Sequence, residues 1–135
     1  DPSNFVEFTN AKAQIFATQN KYEEASTSYE TSLSTDPNSE KALEGLAVVY
    51  IVQAQDLKAK SGETRDRNLQ KELDNKANDF YKKALPLLEK YRDSLEARKA
   101  DSFDIKQAYV KLRNVYYNLS MNDEYEKANK VVEGN

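Results

Sequence analysis

Apolar residues recur along this chain at spacings of three and four, the period of an α-helix with one buried face. Phe5, Phe8, Ile15 and Phe16 begin the series, and Gln19-Asn20 closes it, which predicts a helix over about 4–18. Tyr22, Ala25, Tyr29 and Leu33 predict a second over about 22–35, ended by Asp36-Pro37-Asn38-Ser39. Pro37 cannot continue a hydrogen-bond ladder and pushes Asp36 out of the α region, while the Ser39 hydroxyl can cap a third helix starting near 40. That helix carries Leu43, Leu46, Ala47, Tyr50, Ala54 and Leu57, with Gly62 as its expected stop. Leu69, Leu73, Ala77, Phe80, Ala84, Leu88, Tyr91 and Leu95 then form a stripe that holds its phase through Pro86, favouring one long, bent helix over two helices and a loop. After a polar join at 98–102, Ile105, Tyr109, Leu112, Val115, Tyr116 and Leu119 make a fifth helix, and a sixth runs from about 122 to 132.

Composition narrows the class. At 135 residues the chain suits one domain spanning 1–135. Charged residues make up 32%, ordinary for exposed amphipathic helices, and nine Tyr with five Phe in phase argue against disorder. The formal net charge is −3 with both signs interleaved, so no face offers itself to phosphate backbones and nucleic acid is not an expected partner. The longest apolar run, Leu46 to Val52, is far short of the roughly 20 residues a spanning helix needs, and no membrane insertion is expected. The chain opens at Asp1-Pro2 without Met, as a processed or excised product would, which leaves cytoplasmic and periplasmic locations open.

Candidate chemistry is sparse. Cys and His are both absent, so the sequence offers no thiolate nucleophile, no imidazole base and no ordinary zinc or haem ligand set. Glu23-Glu24, Asp101 with Asp104, and Asp123-Glu124-Glu126 could in principle supply paired carboxylates for acid–base work. They fall at turns and helix starts, where acidic side chains favour the helix dipole and solvent. No phosphate-cradling glycine loop and no oxygen-rich calcium loop is present. Arg65 and Arg67 alternate with Glu63 and Asp66 as a solvated tip, and Asn118-Leu119-Ser120 matches a glycosylation acceptor only by pattern. The expectation is a protein without enzymatic activity, cofactor or metal.

Tyr22-Glu23-Glu24-Ala25, followed by Tyr29 and Pro37, places a small residue between aromatic ones on a helix face, as close helix packing requires. Tyr125-Glu126-Lys127-Ala128 repeats the group. Together with Phe16, these residues resemble the tetratricopeptide repeat, a helix–turn–helix unit of about 34 residues. Lys12 departs from the family's usual Leu. Leu43, Leu46, Ala47 and Tyr50 resemble the first helix of a second copy, whose second helix aligns through either Ala84, Leu88 and Tyr91 or Ala77, Tyr81 and Ala84. Ala108, Tyr109, Leu112, Tyr116, Tyr125 and Ala128 resemble a third copy, with three additional residues before Tyr125 and no Gly where the family favours one. The resemblance implies an all-α fold, a right-handed α-α superhelix of about three helix pairs over 4–38, 39–97 and 104–133, the middle pair elongated.

It also implies a concave face lined by the first helix of each pair that binds a peptide or protein. Carried over position by position, that face comprises Asn10 and Gln14, then Val48, Ile51 and Val52, then Val110, Lys111, Asn114 and Tyr117. Only Lys111 matches the cation cluster with which some members hold acidic peptide ends; Asn10, Gln14, Gly45 and Gln107 stand in the other places, which implies a mixed apolar and polar ligand. Val48, Ile51 and Val52 are apolar away from the Leu46/Tyr50 stripe, so either a partner or the elongated helices cover them. The implied role is a bacterial interaction scaffold. Alternatives are a self-associating structural module forming a homo-oligomer, and an accessory domain for a glycan or small molecule.

Overall fold

A computed structural model of the chain describes residues 1–134 and contains six helices and no strand among them. They are α1 Pro2–Thr18, α2 Tyr22–Thr35, α3 Glu40–Glu63, α4 Arg67–Ala97, α5 Ser102–Asn118 and α6 Asn122–Glu133. None is long and apolar enough among the described residues to cross a membrane.

Local chemistry sets most of the ends. Asp1, Ser39, Asp66 and Asp101 cap α1, α3, α4 and α5 by accepting first-turn amides with their side chains. Pro86 sits inside α4, which runs unbroken from Arg67 to Ala97, as the unbroken apolar phase predicts. The expected stop at Gly62 is displaced: α3 continues to Glu63, and Thr64 leaves it in extended backbone. The halt comes from contacts across the hairpin, where the Gln70 side-chain amide donates to the Thr64 carbonyl at 2.6 Å and Asp66 caps the returning helix.

Three helix-to-helix turns place a non-glycine residue in the left-handed region: Asn20 (φ 60°), Lys99 (φ 53°) and Ser120 (φ 57°). In each, the next amide reaches back to the helix, Lys21 to Phe16, Ala100 to Leu95 and Met121 to Tyr116, all at 2.9 Å. α1 and α5 therefore correspond closely. Each has 17 residues, an Asp N-cap and the same exit turn, with Ser102 one hundred positions after Pro2. In that frame Ala128 of α6 matches Ser28 of α2 rather than Ala25, and the additional three residues expected before Tyr125 are a shift of the motif along the helix.

Successive helices pack against each other, and α1 also touches α3. The larger apolar cluster joins α3 to α6 around Tyr81, Leu88, Leu112 and Val115. The smaller joins α1, α2 and the start of α3 around Ala13, Ala25, Tyr29 and Leu46, and Tyr50 and Leu87 pack against both. A fully buried Leu such as Leu88 or Leu112 contributes about 1.5–3 kcal/mol over an exposed one. The alanines Ala13, Ala25, Ala47, Ala84 and Ala108 are wholly buried, bringing helix backbones close. Ala77 and Ala84 are buried alike, so both alternatives for the second helix of the middle pair lie in the packed stripe.

Candidate functional site

An open cleft of about 830 Å³ lies between α1 and α3, with α2 beneath it. One wall comes from α1 through Asn10 and Gln14, the other from α3 through Val48 and Val52. Its floor depends on Gly45. A Cβ at Gly45 would lie 2.3–2.6 Å from the Tyr29 ring and its hydroxyl, so only glycine lets this α2 side chain pass between α1 and α3. The ring is 7% exposed, and burial, with the neighbouring Glu44 carboxylate second, pushes the Tyr29 phenol pKa up. The phenol stays protonated at neutral pH.

Asn10 is the most specific polar group of the cleft. It is 7% exposed, its Nδ2 donates to Ser39 Oγ at 3.2 Å, and Ser39 in turn accepts from Ala42 N at 3.3 Å. The amide thus ties α1 to the cap of α3. Its Oδ1 is buried with no hydrogen-bond partner among the described residues, a situation that costs about 1–3 kcal/mol.

Of the nine residues expected on the concave face, Asn10, Gln14, Val48 and Val52 meet in this cleft. Ile51 packs against the larger core. Half-buried Lys111 reaches Glu44 at 3.5 Å, so the one retained cation is paired with a carboxylate that itself lines the cleft. Val110 on α5 is half-buried and does not line the cleft. Asn114 and Tyr117 are exposed and outside the cleft; Asn114 accepts from the Asn118 amide, and Tyr117 is 71% exposed with its ring 6.0 Å from that of Tyr125. Sequence reasoning missed Tyr29 and Tyr22 as cleft residues, because both belong to the second helix of their pair. The signal that could have found them is the interior glycine of α3, which needs a large side chain opposite it.

The acidic pairs occupy helix starts. Asp101 accepts the Phe103 amide at 2.9 Å, while Glu23, Glu24, Asp104, Asp123 and Glu124 lie in first turns. Among the described residues no group of three acidic side chains is arranged to hold a metal ion. Elsewhere polar chemistry links helices. Tyr116 donates to Glu89 at 2.8 Å and Tyr50 to Glu30 at 3.1 Å, and burial first, the carboxylate second, pushes both phenols up to about 12. Glu40, held by Arg98 at 2.9 Å, is lowered by that hydrogen bond despite its partial burial.

No family model matches the chain. A search of curated proteins likewise returned no match.

Proposed function

We propose that this protein is a tetratricopeptide-like interaction scaffold without chemistry of its own, which holds an extended segment of a protein or peptide in the cleft between α1 and α3. The observation that carries this reading is the constructed floor of the cleft, where glycine at 45 admits Tyr29 between two helices. Val48 and Val52 offer an apolar strip, and Asn10 and Gln14 face it with amides. Amides pair with a peptide backbone, whose donors and acceptors alternate, and the valines suit small aliphatic side chains. The Lys111–Glu44 pair neutralises the one retained cation, and Lys41 and Glu7 line the cleft with one charge of each sign, which favours a ligand without net charge. The repeat reading draws support from the shared length, cap and exit turn of α1 and α5. On it, the six helices form three pairs stacked in a right-handed superhelix.

The test is selection of a displayed random peptide library on the folded chain, with enriched peptides remeasured by calorimetry against a Val48→Glu/Val52→Glu variant. Enriched peptides should be mainly uncharged with small aliphatic residues, and the variant, shown by circular dichroism to be folded, should bind them at least about tenfold more weakly. No enrichment, or equal affinity for the variant, overturns the reading.

A further inference from the structure

The outer face of α1 is the one helix face that breaks the internal pattern. Ala42, Leu46, Val49 and Tyr50 of α3 and Ala108, Leu112, Val115 and Tyr116 of α5 share one spacing. In α3 the first three are buried with Ala25 and Tyr29 of α2; in α5 all four are buried, Leu112, Val115 and Tyr116 in one cluster with Tyr81 and Leu88 of α4. The corresponding residues of α1 are Phe8, Lys12, Ile15 and Phe16, with Phe5 one turn earlier. Phe5 is 42% exposed, Phe8 70% and Ile15 58%. Phe16 packs against the smaller cluster, but at Phe5, Phe8 and Ile15 a face that a helix covers twice elsewhere in the molecule is here apolar and bare.

Its details differ from the covered faces in a way that selects the occupant. Alanine stands at 42 and 108, where a covering helix comes close, whereas α1 has Phe8 there; Leu stands at 46 and 112, whereas α1 has Lys12. A helix like α2 or α4 would meet a bulky ring in place of the gap and a cation in place of the knob. Phe5, Phe8, Lys12 and Ile15 are spaced three, four and three, the seam of a two-stranded coiled coil, and that spacing reads the same in both directions.

We propose that α1 docks on α1 of a second copy of this chain, antiparallel across a two-fold axis beside residue 10. That register sets Phe5 against Ile15 of the partner subunit and Phe8 against Lys12 of the partner subunit, and the two-fold repeats both. Lys12 already lies over its own Phe16 ring at 5.9 Å, and the opposed Phe8 supplies a second aromatic face. The flanking positions Asn4, Thr9, Ala11, Phe16 and Thr18 are all uncharged, so the charges within the paired seams are the two Lys12 ammoniums, about one turn apart across the axis and free to reach solvent on their flexible stems. Beside the seam, a recess of about 710 Å³ between Phe5, Phe8 and Thr27, Ser28, Thr31 of α2 leaves room for the partner helix. A 17-residue helix is about 25 Å long, and two such helices bury about 1,000 Å², which gives a reversible dimer at the weak end of specific interfaces. Phe5, Phe8, Lys12 and Ile15 lie outside the α1/α3 cleft, while the flanking Ala11 and Thr18 line it, so the dimer seam adjoins the proposed ligand site without using its Asn10, Gln14, Val48 or Val52.

Sedimentation velocity from micromolar to millimolar concentration should show monomer passing to dimer and no further. Phe8→Lys, which sets a second cation against Lys12 of the partner subunit, should weaken the dimer at least about tenfold with the helical spectrum unchanged, whereas Val131→Lys, at an exposed position on α6, should leave it intact. The chain has no native Cys, so register can be read directly. Phe5→Cys and Ile15→Cys chains, mixed and oxidised, should join to each other, and neither alone should form a disulfide. A strict monomer at millimolar concentration, a dimer indifferent to Phe8→Lys, assemblies larger than two, or Phe5→Cys chains joining to themselves each overturns the proposal.

Discussion

At the scale of single residues, the contact between Gly45 and Tyr29 joins stability to function. Glycine inside a helix costs about 0.5–1 kcal/mol relative to alanine, so Gly45→Ala on an open helix would stabilise. Here the added methyl would meet a buried aromatic ring at 2.3 Å. Overpacking costs about 1–3 kcal/mol and outweighs the gain in propensity. Gly45→Ala should therefore lower the urea midpoint, and Tyr29→Leu in the same chain should recover part of the loss because the two side chains share one space. Additive effects of the two substitutions would show that the ring does not lie over Gly45. The same pair marks the limit of sequence reading at this scale: Asn10, Gln14, Val48 and Val52 could be placed on one wall or the other by periodicity, but a side chain threading between helices depends on how three helices pack. Ile51 shows the complementary difficulty. α3 touches α1, α2 and α4, so it carries apolar residues on more than one face, and periodicity alone does not tell packing from exposure.

At the scale of elements, helix ends were legible wherever their signal is local. Pro37 with Ser39, the apolar stripe that keeps phase across Pro86, and the polar join after Arg98 all correspond to boundaries or continuities in the structure. The end of α3 was legible to within one residue but not in its cause, since Thr64 and Gln70 bond across a hairpin beyond Gly62. The turns at Lys99 and Ser120 carry left-handed backbone without glycine, so composition gives no notice of them. A left-handed residue with a Cβ costs about 1–2 kcal/mol, offset in part by the chain entropy that glycine adds to the unfolded state. Lys99→Gly and Ser120→Gly should each raise stability by up to about 1 kcal/mol in chemical denaturation. They belong to different turns, and their effects should add. Destabilisation by either would mean that its side chain makes a contact worth more than the strain.

At the scale of the whole molecule, the two apolar clusters are unequal. Ten buried residues form the one joining α3 to α6, and six form the one joining α1 and α2 to α3. Between them run Tyr50 and Leu87, packed against both, with the Tyr50–Glu30 and Asn10–Ser39 hydrogen bonds and the Lys90 ammonium donating to the Pro37 carbonyl at 2.8 Å. The smaller cluster also has the bare outer face of α1 and holds the unpaired Asn10 acceptor. The α1/α2 pair is anchored through the smaller cluster, with six buried residues against ten, so this half should open first as a unit. Native-state hydrogen exchange should give the amides of Ala13 and Ala25 a smaller opening free energy than those of Ala84 and Leu112. Tyr50→Phe, which removes only the bond to Glu30, should lower protection in α1 and α2 and leave α5 and α6 unchanged. A dimer through α1 covers the weaker half, so protection at Ala13 should rise with protein concentration while that at Leu112 stays level. One opening free energy across all six helices would mean that Tyr50 and Leu87 weld the clusters into a single cooperative unit, and that α1 holds its place without a partner.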